Sequence, residues 1–265
     1  MLLDIKYFLN NQTKENRGMW ISRFYKIYDD YIKTNGKEIL LSQKGFYLIT
    51  YYETDFSKES DVLKFMLNNN DKFKTYLKDP KILSYFWVSR QNRYIETLAK
   101  KGQIEYKEQL ERIKGDLSEP YKFIGKPGID TYELLKKKAD ALYFLYSKKD
   151  ESTYISLMQE YFDTLKDLIT KVDYNKAIDE LFVYNKAKVS KSSYKACILW
   201  INTAMQLKGL DNVDLARYYI SMGQCYQGLK NNSKAKECYS KASIMAIKAG
   251  DKRLQMIARE LSKSL

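Results

Sequence analysis

Apolar side chains recur along the chain at three- and four-residue steps, as in Trp20, Phe24, Ile27, Tyr28 and Tyr31, which is one face of a helix. Strand-like alternation is nearly absent. The segment from Leu40 to Tyr52 is β-branched and aromatic enough for a strand, but Ser42 can cap a helix there and the polar run DFSKES follows as a connection. It is therefore read as helix. Further helices are expected at Asp61 to Leu67, Lys72 to Leu77, Pro80 to Lys100 and Gln103 to Lys114. The strongest break, SEPYKFIGKPG from Ser118 to Gly128, reads as a hinge loop over residues 118–129. Its GKPG lacks the spacing of a phosphate-binding loop and follows no strand, so it reads as a turn.

Beyond Asp130 the periodic segments pair: 130–147 with 151–169, 173–187 with 191–207, and 213–229 with 231–248, before a last helix at 251–263. Short connections force neighbours to run antiparallel. The predicted fold class is all-α, a series of antiparallel helical hairpins. Residues 1–117 read as an irregular helical-hairpin region, and 130–265 as a repeat region with a C-terminal capping helix.

Composition narrows the chemistry. The 265 residues include no histidine, only three prolines and eleven glycines, and 24 tyrosines. Few Pro and Gly suit long helices with short loops, and Tyr suits helix contacts where a ring packs while its hydroxyl reaches a polar partner. Without imidazole there is no Ser-His-Asp triad, no Cys-His pair and no His-ligated zinc, so the chain reads as non-catalytic with no cofactor. Cys197, Cys225 and Cys238 lack CxxC or zinc spacing and read as small core residues. Paired carboxylates such as Asp29 and Asp30 suggest an acid and base, but adjacent helix residues diverge by about 100°, which points to solvated surface.

The formal charge is +13, and from Lys230 onward nine Lys or Arg face three acids. Those positives are dispersed, with no arginine-rich run or recognition helix, so nucleic acid is disfavoured as a partner. The start lacks the pattern of a signal peptide, and no apolar run is long enough to span a membrane. The compartment stays open between the cytoplasm and export as part of a longer chain.

One window carries the most information. In Asp214 to Ile247, Tyr219, Met222, Gly223 and Tyr226 are followed by Ala235, Tyr239 and Ala242 in a small-large-small order that lets two helices approach closely. A degenerate copy lies upstream, with Cys197, Ile201 and Ala204 in the places of Ala235, Tyr239 and Ala242. This window resembles tetratricopeptide repeats, which implies an α-solenoid. Over roughly residues 38–265 the chain also resembles helical regions that follow a thioredoxin-like domain in Bacteroidetes proteins, through Asp55, Phe65, Asn70 and Phe73 in DFSKESDVLKFMLNNNDKFKTYL. No redox role follows, because the chain has no CxxC. The resemblance implies a scaffold for a protein or peptide partner, within a larger exported protein, with the groove at Arg217, Ile220, Gln224 and Gln227. The competing expectation is a regulatory sensor responsive to peptide or nucleic acid.

Overall fold

The computed structural model describes residues 17–53, 60–125, 127–184 and 189–265. Among these, every regular element is helical, as the spacing predicts. The α-helices are α1 (Arg17–Asn35), α2 (Gln43–Tyr52), α3 (Asp61–Asn68), α4 (Asn70–Tyr76), α5 (Lys81–Lys100), α6 (Tyr106–Glu111), α7 (Ser118–Ile124), α8 (Thr131–Tyr143), α9 (Glu151–Leu165), α10 (Lys171–Tyr184), α11 (Lys191–Ala204), α12 (Asn212–Gly228), α13 (Asn232–Ala249) and α14 (Lys252–Lys263). None is long and apolar enough to cross a membrane.

Two compact units divide the chain. The first holds the described residues up to Tyr94 with Glu111–Gly125; the second holds Ile95–Leu110 and the described residues beyond 126. In the first unit, Ser42 caps α2 by accepting a hydrogen bond from the Gly45 backbone N–H (2.9 Å), and Ser60 caps α3 through Leu63 N–H (3.2 Å). The Ser42 cap starts the helix that takes in the β-prone YLITYY segment. Buried Leu40, Phe46, Ile49, Leu63, Met66, Phe73, Leu83 and Trp87 supply the core. Two buried aromatics here find partners for their polar tips: Trp87 Nε1 donates to Asn70 Oδ1 (3.2 Å) and the Tyr121 hydroxyl to Asn92 Oδ1 (2.6 Å). Asn70, the first residue of α4, thus accepts from the buried Trp87, and Phe73 is a core residue; Asp55 lies outside the described residues, as does the connection over 54–59.

Two expectations change here. The segment read as a hinge loop contains α7, because Pro120 falls in its first turn, where a missing N–H costs nothing. Gly125 then closes that helix by donating to Tyr121 O (2.8 Å). The predicted Gln103–Lys114 helix shortens to α6 followed by turns, where Lys114 N–H bonds the Glu111 carbonyl three residues back (3.0 Å) and Leu117 N–H the Arg112 carbonyl five back (2.9 Å), departing from the four-residue ladder.

The second unit starts its helices with capping side chains. Asp130, Asp150, Ser190, Asp211, Asn231 and Asp251 each accept from a backbone N–H in the following first turn. At α12 the arrangement is reciprocal, Asp211 accepting from Asp214 N–H (2.8 Å) and Asp214 accepting from Asp211 N–H (3.3 Å). Helix α8 runs into a π-helical turn at Phe144–Lys148 before Lys149 adopts a left-handed conformation (φ 59°). Consecutive helices pack as α8 on α9, α11 on α12, α12 on α13 and α13 on α14. The amphipathic α14 lays Leu254, Ile257, Ala258 and Leu261 against Ile220 and Ala242.

Candidate functional site

Close approach of α11, α12 and α13 follows from small residues at their contacts. A Cβ at residue 223 would lie 2.7 Å from Tyr239 Cδ1 and 2.9 Å from Cζ, and one at 228 would lie 2.6 Å from the Tyr194 hydroxyl oxygen. At 223 the obstructing ring belongs to the fully buried Tyr239, and at 228 the outer end of the Tyr194 ring would have to shift. Ala204, Ala216, Ala235, Ala242 and Ala246 are fully buried at the same layers. The three cysteines gather here too: the hydrogen bond with the Cys197 thiol, and then burial, push the Cys225 thiol far above its ordinary range.

On one side of this layer a cleft of about 350 Å³ opens. Asn202, Met205 and Gln206, at and just beyond the end of α11, form one wall. Its floor is Tyr219, Met222 and Tyr226 from α12, and Lys234, Glu237, Cys238 and Lys241 from α13 form the other wall. The two tyrosines are seven residues apart on one helix and the two lysines seven apart on its antiparallel neighbour. Each lysine consequently stands over one ring: Lys234 Nζ is 5.4 Å from the Tyr226 centroid and Lys241 Nζ 5.8 Å from that of Tyr219. Glu237 accepts from Lys241 (2.6 Å) and is held below the usual carboxylate range by that hydrogen bond, while Lys241 is raised by it. Among the described residues Lys234 makes no direct ion pair, and its charge adds to that of Lys241 in holding Glu237 down. The cleft therefore presents one paired and one unpaired cation above an aromatic and thioether floor.

The groove residues expected from the sequence do not share one open surface. Arg217 and Gln224 are exposed. Ile220 is buried beneath α14 with Ala242 and Ala258, so it faces no solvent groove. Gln227 uses its side-chain oxygen to accept from the Tyr239 hydroxyl (3.0 Å). Conversely, Tyr219 and Tyr226, expected as interhelical packing, are half-buried and floor the cleft. Sequence reasoning also passed over Lys234 and Lys241; their seven-residue step, matched by the Tyr219 to Tyr226 step, was the available signal.

No family model matches the chain, nor does any curated protein or solved structure.

A second polar cluster lies elsewhere in the same unit. Glu96, Lys138, Tyr161, Asp173, Lys176 and Glu180 surround a cavity of about 20 Å³, room for a single water. Its charges are matched internally, Lys138 with Glu96 (2.5 Å) and Lys100 with Glu180, and Tyr146 donates to Glu180 (2.5 Å). This is a cross-link between helices with no room for a ligand. Asp29 and Asp30 are both exposed on α1. Among the described residues no three His, Cys, Asp or Glu side chains converge in a way that would hold a metal.

Proposed function

We infer that this protein is a non-catalytic helical-repeat scaffold of tetratricopeptide-like hairpins, and that it holds a protein or peptide segment in the cleft between α11, α12 and α13. The observation that carries this reading is the composition of the cleft itself. Aromatic and thioether side chains form the floor, amides stand on one wall, and charged groups rim the other, which is the mixture that grips side chains and satisfies a peptide backbone together. Its volume is at the lower end of ligand pockets, matching a short stretch of chain. Stacked hairpins support the repeat reading. The α12–α13 pair has Gly223 against Tyr239, and the preceding α11 brings Cys197, Ile201 and Ala204 to the equivalent buried layer.

Pull-down from native extract with the full chain, in parallel with an Asn202→Trp variant that fills the cleft, tests the proposal. Recovery of a partner by the unmodified chain and its loss with Asn202→Trp is the expected result. Equal recovery by both would place binding elsewhere; equal recovery by Arg217→Glu/Gln224→Ala is expected, because neither residue lines the cleft.

A further inference from the structure

We propose that the α11–α12–α13 cleft selects an acidic segment: an extended peptide with an Asp or Glu side chain next to an apolar one. The inference rests on the reading of the cleft as a peptide site and adds the chemistry of what enters it. Lys234 supplies the selecting charge. It stands at the third position of α13, fixed by the Asn231 cap that accepts from its backbone N–H (3.1 Å), and its ammonium lies above Tyr226 with no direct ion pair, Glu237 acting on it only through space while hydrogen-bonding Lys241. A ligand carboxylate at that ammonium gains a charge-assisted hydrogen bond while the lysine keeps its contact with the ring.

The second lysine explains why the preference is for one carboxylate and not for a polyanion. Lys241 is about 10.5 Å along α13 from Lys234 at 1.5 Å per residue, and Glu237 occupies it (2.6 Å). A backbone with a charge at every step would set one of its anions against Glu237. A peptide has one carboxylate to place on Lys234 and can direct its next side chain onto Met222 and Tyr226, with Asn202 and Gln206 facing its amides. The formal charge of +13 over the whole chain favours encounter with such a partner.

The test uses the 265-residue chain and three fluorescein-labelled dodecapeptides that differ only in a central Glu-Leu, Gln-Leu or Lys-Leu pair, read by fluorescence polarisation. The Glu-Leu peptide is expected to bind at least about tenfold more tightly than the Lys-Leu peptide, and to weaken as salt screens the contact. Lys234→Glu should invert that order. Glu237→Gln should tighten the Glu-Leu peptide, because it releases Lys241. Both positions are exposed, so neither variant threatens the fold. Equal affinity for the three peptides, with all three lost in Asn202→Trp, would overturn the charge preference and leave the peptide reading standing. If no peptide binds, or Asn202→Trp changes nothing, both fail. Displacement of the Glu-Leu peptide by single-stranded DNA at comparable concentration would assign the cleft to polyanions and overturn the proposal.

Discussion

Tyr239 lays its ring across the place where residue 223 would carry a Cβ, and this single contact sets how closely α12 and α13 approach. In a helix interior Gly to Ala ordinarily gains about 1 kcal/mol. At 223 the gain is reversed, because the obstructing atoms belong to a fully buried ring whose hydroxyl is tied to Gln227. Gly223→Ala is expected to cost about 1–3 kcal/mol, the range for overpacking a filled core, measured by urea unfolding. An unchanged or raised midpoint would show that the ring moves aside freely.

Two buried tyrosines give opposite expectations for the same substitution. Tyr239 donates to Gln227, so Tyr239→Phe removes a hydrogen bond and should destabilise by about 1 kcal/mol. The Tyr218 hydroxyl is also buried, yet no protein group among the described residues accepts from it or donates to it. Tyr218→Phe removes a desolvated polar atom at almost no change in shape, and the expected outcome is neutral to about 1 kcal/mol stabilising. Paired thermal and urea unfolding of the two variants checks the difference in sign.

These particular contacts show what could be read from the chain and what could not. Helix spacing and capping are local, and so Ser42 marks in the sequence the helix start that it caps in the structure, and the spans expected to begin at 130, 213 and 231 start at helices capped by Asp130, Asp211 and Asn231. The small-large-small order of Ala235, Tyr239 and Ala242 likewise announces close packing, and all three are fully buried. The site depends on more distant relations. Burial of Ile220 is decided by where α14 lies, and the fate of Gln227 by a hydroxyl on the next helix. Lys234 acquires meaning only when antiparallel packing places it over Tyr226, and α11 must end nearby for Asn202 and Gln206 to complete the wall. Helical propensity could also override punctuation: α7 forms through Pro120 because the first turn tolerates it.

Alkaline stability follows from the buried phenols. Burial raises both Tyr218 and Tyr239 from 10.0 to about 12, and Tyr154, fully enclosed, lies well above its ordinary range. For a group whose folded value is raised, the stabilisation is complete below the unfolded value and is lost as pH climbs to the folded one. The chain should therefore keep its stability up to about pH 10, lose the Tyr218 and Tyr239 contributions between 10 and 12, and go on losing stability above that as the more strongly raised phenols titrate. Tyr239→Phe, although less stable at neutral pH, should lose less stability than the unmodified chain over that interval. Urea midpoints at pH 8, 10 and 11.5 with phenolate absorbance in parallel provide the measurement; equal losses in both proteins would remove Tyr239 from the titrating set.

The cysteines offer a direct probe of the cleft. Cys197 and Cys225 are completely enclosed, whereas Cys238 retains 6% of its surface and lines the cleft wall between Lys234 and Lys241. Burial and the charge of Glu237 raise its thiol, an effect the two lysines only partly offset, so reaction with alkylating reagents should be slow at neutral pH. It should nevertheless precede reaction at the other two, since small reagents reach it without the helices parting. Intact-mass and peptide mass spectrometry after timed treatment with iodoacetamide should show a single adduct on Cys238, followed by the remaining thiols only under denaturing conditions. Saturation with the Glu-Leu dodecapeptide should slow that first adduct several-fold, because a chain over Met222 and Tyr226 covers the approach to the Cys238 Sγ. If the first adduct forms on Cys225, α12 and α13 separate in solution; if the bound peptide leaves the Cys238 rate unchanged, the peptide lies outside the cleft.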